Sequence, residues 1–117
     1  FHAIADALLG AAALGDIGHF FPDDNPIYKN MDSKIILLDV LSKLHEISYV
    51  IVNIDVTIVL EKPKLGPWIS KIKSSVCKCL SIDKNQLNIK ATTSERMGFI
   101  GKEQGVACYS VVLIEKI

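Results

Sequence analysis

Apolar residues recur along this chain with two different periods, and the switches between them delimit the elements. From His2 to Leu14 the residues are mostly Ala and Leu, strong helix formers with few β-branched neighbours, which predicts a helix closed by Gly15. Gly, Pro, Asp and Asn follow one another from Gly15 to Asn30 and predict a long loop. Asp32-Ser33 offers an N-cap, after which Leu37, Val40, Leu41, Leu44 and Ile47 recur at helical spacing. The period then changes to two: Val52, Ile54, Val56 and Ile58 alternate with Asn53, Asp55 and Thr57, which predicts one long strand over 49–60 with an apolar and a polar face. The apolar set suits a core or the interior of an assembly, and the polar stripe a hydrogen-bonded interface or a wet channel.

The segment Glu61-Lys62-Pro63-Lys64-Leu65-Gly66-Pro67 breaks this strand, and Pro67 suits the first turn of a further helix with Ile69, Ile72, Val76 and Leu80 on one face. Leu87 to Thr93 alternates again and predicts a strand. Gly98, Gly101 and Gly105 punctuate the next loop, and Val106 to Ile114 reads as a nearly continuous apolar strand. The order helix, helix, strand, helix, strand, strand predicts a single domain over residues 1–117. With a further strand upstream it forms an α/β (α+β) sandwich, a mixed sheet with helices on one face.

Composition narrows the function classes. The 117 residues are 50% apolar and 22% charged, enough for one core and too apolar for a disordered chain. Thirteen Lys+Arg against thirteen Asp+Glu leave no net charge, so no nucleic-acid partner is expected. No apolar run reaches the roughly 18 residues of a membrane-spanning helix, so no membrane partner is expected either. Cys77, Cys79 and Cys108 are too few for a disulfide framework, and Cys77 and Cys79 lack the usual zinc-knuckle spacing; plain thiols are expected. Residue 1 is Phe, with no signal-like segment, so the chain reads as a processed or truncated product.

Three separated blocks carry candidate chemistry. The first is His2-Ala3-Ile4-Ala5-Asp6-Ala7-Leu8-Leu9-Gly10 with Gly15-Asp16-Ile17-Gly18 and Phe21-Pro22-Asp23. The second is Asp55-Val56-Thr57 with Pro63-Lys64. The third is Lys90-Ala91-Thr92-Thr93-Ser94-Glu95 with Gly98-Phe99 and Gly101. In this order the chain resembles the 2-C-methyl-D-erythritol 2,4-cyclodiphosphate synthase family of the non-mevalonate isoprenoid pathway, over essentially its whole length. The resemblance implies a homotrimer with active sites between subunits. It also implies that the chain lacks the family's N-terminal strand and metal-motif segment.

The implied reaction is an intramolecular phosphoryl transfer in isoprenoid precursor biosynthesis. The substrate is 4-diphosphocytidyl-2-C-methyl-D-erythritol 2-phosphate, whose 2-phosphate attacks the sugar-side phosphorus of the diphosphate. CMP leaves and an eight-membered cyclic diphosphate forms. Such chemistry needs alignment and charge neutralisation rather than a protein nucleophile.

Residue by residue, the resemblance makes His2 a zinc ligand, whose two companions come from an Asp-x-His motif expected upstream of residue 1. Zn2+ and Mg2+ (or Mn2+) are the implied cofactors. His19 and His45 match no ligand position and are expected at the surface. Asp16, Ile17 and Gly18 are implied in holding ribose and methylerythritol hydroxyls; read locally, Asp16 caps a turn and Gly18 permits positive φ. Phe21, Pro22, Asp23, Asp24 and Asn25 are implied to line the methylerythritol side, with Asn25 standing where an acidic residue is usual.

Leu60, Glu61, Lys62, Pro63, Lys64, Leu65 and Gly66 are implied to hold cytosine mainly through backbone groups, although a charged turn gives the same composition. Thr92, Thr93 and Ser94 are implied at the phosphates, with Thr93 stabilising charge on the transferring phosphoryl group and Glu95 holding magnesium. Phe99 and Lys102 complete the substrate set; Lys102 replaces an expected Arg, keeping charge without the bidentate fork.

Two other classes compete. One is a truncated, non-catalytic cytidine-nucleotide-binding module of the same fold, and the other is a structural domain sharing only the architecture. Twelve Lys against one Arg, with sixteen Ile, suggests an A+T-rich genome. The compartment expected is a bacterial cytoplasm or a plastid or apicoplast stroma, with the plastid-type organelle slightly preferred.

Overall fold

The structure is a computed structural model and describes residues 1–22, 32–61, 64–93 and 105–117. Its elements run α1 (His2–Ala11), α2 (Ile17–Phe20), α3 (Ser33–Glu46), β1 (Tyr49–Val59), α4 (Ile69–Leu80), β2 (Leu87–Thr92) and β3 (Ala107–Lys116). Short 3-10 turns at Gly66–Trp68 and Lys84–Gln86 lead into α4 and β2. Pro67 lies in the first of these turns, one step before the α-helix predicted to hold it.

The three strands form one sheet in the order β2-β1-β3. β1 runs parallel to β2, with Ile54 opposite Leu87 and Val59 opposite Thr92. It runs antiparallel to β3, with Tyr49 opposite Lys116 and Val59 opposite Ala107. Parallel pairing requires a crossover, which α4 supplies. The helices cover one face: α1 lies on β3 and α3, α3 reaches β1 and α4, and α4 lies on β2. Leu8, Leu9, Leu37, Val40, Leu44 and Ile54 are the largest fully buried side chains between the two layers. The predicted mixed sheet with helices on one face is the observed architecture.

Two local expectations fail. The first helix ends at Ala11, not at Gly15. Ala13 takes the left-handed conformation at φ 58, its N–H donates to Gly10 O at 3.0 Å, and Leu14 N–H donates to Leu9 O at 2.9 Å. This is a Schellman closure built on alanine, and Gly15, at φ 95, makes a second bend two residues later. The alternation in β1 fails at Val52. The register with β3 slips between Ile51 and Asn53, so Ile51 and Ile54 are both buried while Val52 is 36% exposed. A β-bulge inserts one residue and moves Val52 to the open face.

The side chain of Gln86 holds this bulge. Its Nε2 donates to Ile51 O at 3.1 Å and Val52 O at 3.4 Å, and its Oε1 accepts from Asp83 N–H at 2.8 Å. Gln86→Ala withdraws these bonds and is expected to cost about 1–3 kcal/mol, read as a lower denaturant midpoint in a urea titration.

The uncovered face carries a polar and an apolar stripe. Asp55 Oδ2 accepts from Lys90 Nζ at 2.8 Å and Oδ1 from Asn88 Nδ2 at 3.2 Å. The Lys90 bond first, then the Asn88 bond, holds the Asp55 carboxyl below its usual range. The stabilisation is present above the unfolded carboxyl's pKa and is lost as pH falls through the folded one; at this exposed site it is small. Beside this stripe, β3 presents Tyr109, Val111 and Leu113 at 64%, 71% and 60% exposure. The polar stripe is therefore a cross-strand ladder flanked by uncovered apolar side chains.

Candidate active site

β1 and β2 run parallel and end side by side, with Val59 opposite Thr92. The carboxyl ends of parallel strands are where open α/β sheets bind ligands. Here they leave a cavity of about 280 Å³ lined by Leu60, Glu61, Lys64, Leu65, Gly66, Ala91, Thr92 and Thr93. One backbone bond closes its floor, from Leu60 N–H to Thr92 O at 3.0 Å. The Leu65 carbonyl accepts from Trp68 N–H at 2.8 Å and Ile69 N–H at 3.1 Å, tying the far wall to the start of α4.

Described residues of the segment expected to hold the base and of the third sequence block thus meet in one pocket. Of their expected residues, Leu60, Glu61, Lys64, Leu65, Gly66, Thr92 and Thr93 line it. Ala91 lines it too, and no polarity or spacing signal marks an alanine in a strand. Thr92 Oγ1 donates to Thr93 O at 3.4 Å. Thr93 stands exposed immediately after the last residue of β2. Lys62, Pro63, Ser94, Glu95, Phe99 and Lys102 lie outside the described residues, as do Asp23, Asp24 and Asn25.

The first block forms a separate group around α1 and α2, and none of its described residues lines the pocket. Asp16 is the N-cap of α2, its Oδ1 accepting from His19 N–H at 2.9 Å. The local reading of Asp16 as a cap is therefore correct, whatever else its second oxygen binds. Gly18 is helical rather than in the positive-φ region. A Cβ there would stand 3.4 Å from Asp16 Oδ1, an ordinary contact distance, so neither sterics nor φ requires glycine at this position. Phe21 and Ile17 pack against the core, and Lys43 Nζ lies 5.0 Å from the Phe20 ring centre, joining α2 to α3. His19 and His45 are exposed, as expected.

His2 begins α1 and is exposed, with Nε2 3.1 Å from Ser33 Oγ at the start of α3. Neither Ser33 nor Asp6, which holds the α2 turn, was among the expected site residues. Asp6 sits four residues from His2 on a helix, which places both on one side. A catalytic zinc takes three protein ligands, and among the described residues no three His, Cys, Asp or Glu side chains gather to hold an ion. The described residues alone do not make up a metal site. Cys77, Cys79 and Cys108 are free thiols, and burial pushes the Cys79 thiol up, away from nucleophilic use.

Comparison with known proteins accounts for this arrangement. The model of the YgbB family matches residues 1–115. The chain is 48% identical over 115 residues to the 2-C-methyl-D-erythritol 2,4-cyclodiphosphate synthase of Prosthecochloris aestuarii, covering 98% of this chain and 73% of that one. It is 51% identical over 114 residues to the synthase of the same description from Clostridium botulinum (Okra), covering 97% and 74%. These relatives are bacterial, and the preference for a plastid-type organelle finds no support in them. Among the described residues, no helix is long and apolar enough to cross a membrane.

Among solved structures, the bifunctional IspDF of Campylobacter jejuni superposes with a TM-score of 0.95 at 38% identity, covering 99% of this chain and 31% of that one. The CDP complex of IspF from Plasmodium falciparum gives a TM-score of 0.87 at 29% identity, covering 98% and 69%. Shared sequence, shared fold and a pocket at the ends of β1 and β2 lead to one conclusion. The chain belongs to the YgbB family, and its curated relatives are 2-C-methyl-D-erythritol 2,4-cyclodiphosphate synthases.

Proposed function

We propose that this chain works as a cyclodiphosphate synthase. It aligns the 2-phosphate of 4-diphosphocytidyl-2-C-methyl-D-erythritol 2-phosphate on the sugar-side phosphorus of the diphosphate. A new P–O bond forms to the 2-phosphate oxygen, the bond to the cytidine-side bridging oxygen breaks, and CMP carries those electrons away. The observation that carries this reading is the pocket of Leu60, Glu61, Lys64, Leu65, Gly66, Ala91, Thr92 and Thr93.

Its volume, near the lower end of the roughly 300–1,000 Å³ of small-molecule sites, suits one end of the substrate. The reading gives the base to 60–66, where backbone N–H and C=O groups can tell the amino edge of cytosine from the carbonyl edge of uracil. Thr93, at the mouth, offers its hydroxyl to charge developing on the transferring phosphoryl group. Asp16, Ile17 and Gly18 hold hydroxyls of the sugar portion, with Phe21 to Asn25 beside them. Ser94, Phe99 and Lys102 complete the phosphate side.

The family's synthases need divalent metal ions. In this reading His2 contributes one zinc donor and Glu95 a magnesium or manganese donor, the rest of each shell lying beyond the described residues. When bound, such ions neutralise phosphate charge. That no described residue of α1 or α2 lines the pocket supports active sites shared between subunits. The uncovered face with Tyr109, Val111 and Leu113 supports a homotrimer assembled through its sheets, since monomers rarely leave large apolar patches bare. Its compartment in this reading is a bacterial cytoplasm.

Calorimetric titration of the folded protein with CDP and Mg2+, with UDP as control, tests the base assignment. Trp68, the chain's single Trp, stands three residues beyond pocket-lining Leu65 and reports the same event by fluorescence. CDP is expected to bind at least about tenfold tighter than UDP, a difference of about 1.4 kcal/mol. Equal binding of the two overturns the cytosine reading, and absence of CDP binding overturns the nucleotide pocket.

A further inference from the structure

We infer that Asp6 is a positioning residue for the reaction, the anchor that fixes the Asp16–Gly18 turn relative to His2. This rests on the reading of that turn as the holder of substrate hydroxyls.

α2 is a weak element by itself. It has four residues, Ile17–Phe20, a length at which helix formation is unfavourable by itself. The N–H groups of its first turn have no partners within the helix and must find them elsewhere. Two carboxylates supply them. Asp16 Oδ1 accepts from His19 N–H at 2.9 Å, a local cap that travels with the turn. Asp6 Oδ1 accepts from Ile17 N–H at 2.8 Å, across eleven residues of chain. Only the second bond ties the turn to another element.

That element is well fixed. Ile4, Ala5, Leu8 and Leu9 bury the inner side of α1, while Asp6 itself is exposed. Its removal opens no cavity and leaves no buried charge, so its contribution lies in the bond rather than in packing. At the far end of α2, Phe20 is held beneath Lys43 of α3. At the Ile17 end, next to Asp16 and Gly18, the side chain of Ile17 rests on the core while Asp6 fixes its backbone N–H. Because His2 lies one helical turn away on α1, a single rigid helix sets both the imidazole and the sugar-binding turn. Misplacement of a substrate-holding group by about 1 Å costs on the order of 10²-fold in rate, so this tether has a functional consequence out of proportion to its stability.

The test uses the full-length enzyme and three variants. Asp6→Ala is expected to raise KM about tenfold and lower kcat/KM about 10–100-fold, with faster amide exchange at Ile17 and an unchanged melting temperature. Asp6→Asn keeps an accepting Oδ1 and is expected to recover most of KM and the slow exchange. Asp16→Ala tests the underlying reading and is expected to raise KM as well. Should the alanine variant not fold, Asp6→Ser withdraws the acceptor from reach and carries the same expectation. Unchanged KM and kcat in Asp6→Ala, with Asp16→Ala impaired, overturn the anchoring role while leaving the turn's function intact. Unchanged kinetics in Asp16→Ala overturn the reading of the turn, and the inference with it. Asp6→Asn as impaired as Asp6→Ala, with Ile17 still protected, also overturns it, because charge and not the tether then matters.

Discussion

Thr93→Ala lowers kcat by about 10²–10³-fold while leaving CDP affinity within about threefold, the pattern for a donor whose bond strengthens as charge moves. The position of Thr93 sets this expectation. It follows Thr92, the last residue of β2, whose carbonyl is pinned by Leu60 N–H at 3.0 Å. A residue there inherits the rigidity of the sheet while its side chain is exposed at the pocket mouth. Thr93→Ser retains the hydroxyl and is expected to lose less than about tenfold, whereas Thr93→Val keeps the shape and should resemble alanine. Steady-state CMP release at saturating substrate, alongside CDP titration, separates the two quantities. A fall in CDP affinity that matched the fall in rate would make Thr93 a ground-state binding residue instead.

Ile54→Ala destabilises the fold by about 2–5 kcal/mol, and the melting temperature falls by on the order of 10 °C. Ile54 is 0% exposed on the central strand, paired with Leu87 on one side and Val112 on the other. Its loss leaves a cavity that neither neighbouring strand can fill without changing register. Val52→Ala, two residues earlier, is expected to change stability by no more than about 0.5 kcal/mol, since Val52 lies on the open face beyond the bulge. Thermal unfolding at one fixed protein concentration compares them, because assembly makes melting concentration-dependent. Equal effects would place the two residues on one face and remove the bulge from the account.

The contrast between Val52 and Ile54 shows how far the pattern of the chain could be read. Long periodic elements such as α3 and α4 were legible because burial of one face is what imposes the period. The Asp32 cap was legible for the same local reason, and its Oδ1 accepts from Lys34 N–H at 2.9 Å. A bulge has no such signature: the extra residue is set by β3 and by Gln86, both far along the chain. The left-handed conformation of Ala13 was equally hidden, since alanine carries none of glycine's indication, and the Schellman bonds alone reveal it. The pocket at 60–61, 64–66 and 91–93 was legible only through family resemblance. Lysine, proline and threonine at strand ends carry no nucleotide signal until the two strands are known to lie side by side. The tethering role of Asp6 has no sequence signal because its partner is a backbone N–H, and backbone donors leave no trace in side-chain identity.

Pairing of β1 with β3 ties Tyr49–Val59 to Ala107–Lys116, far along the chain, and α1 rests on β3 as well. The order of synthesis makes this a kinetic matter. As the polypeptide leaves the ribosome, α1 and β1 both emerge before β3, the partner that they share. The β1–α4–β2 unit can form early, but among the described elements the apolar stripe of α1 has α3 and the short α2 beside it until β3 arrives. High contact order of this kind slows folding, and the nascent chain carries uncovered hydrophobic surface in the interval. The C-terminal strand therefore acts as the latch of the fold, and a ribosome that stalls before residue 107 leaves behind a client for chaperones rather than a smaller domain.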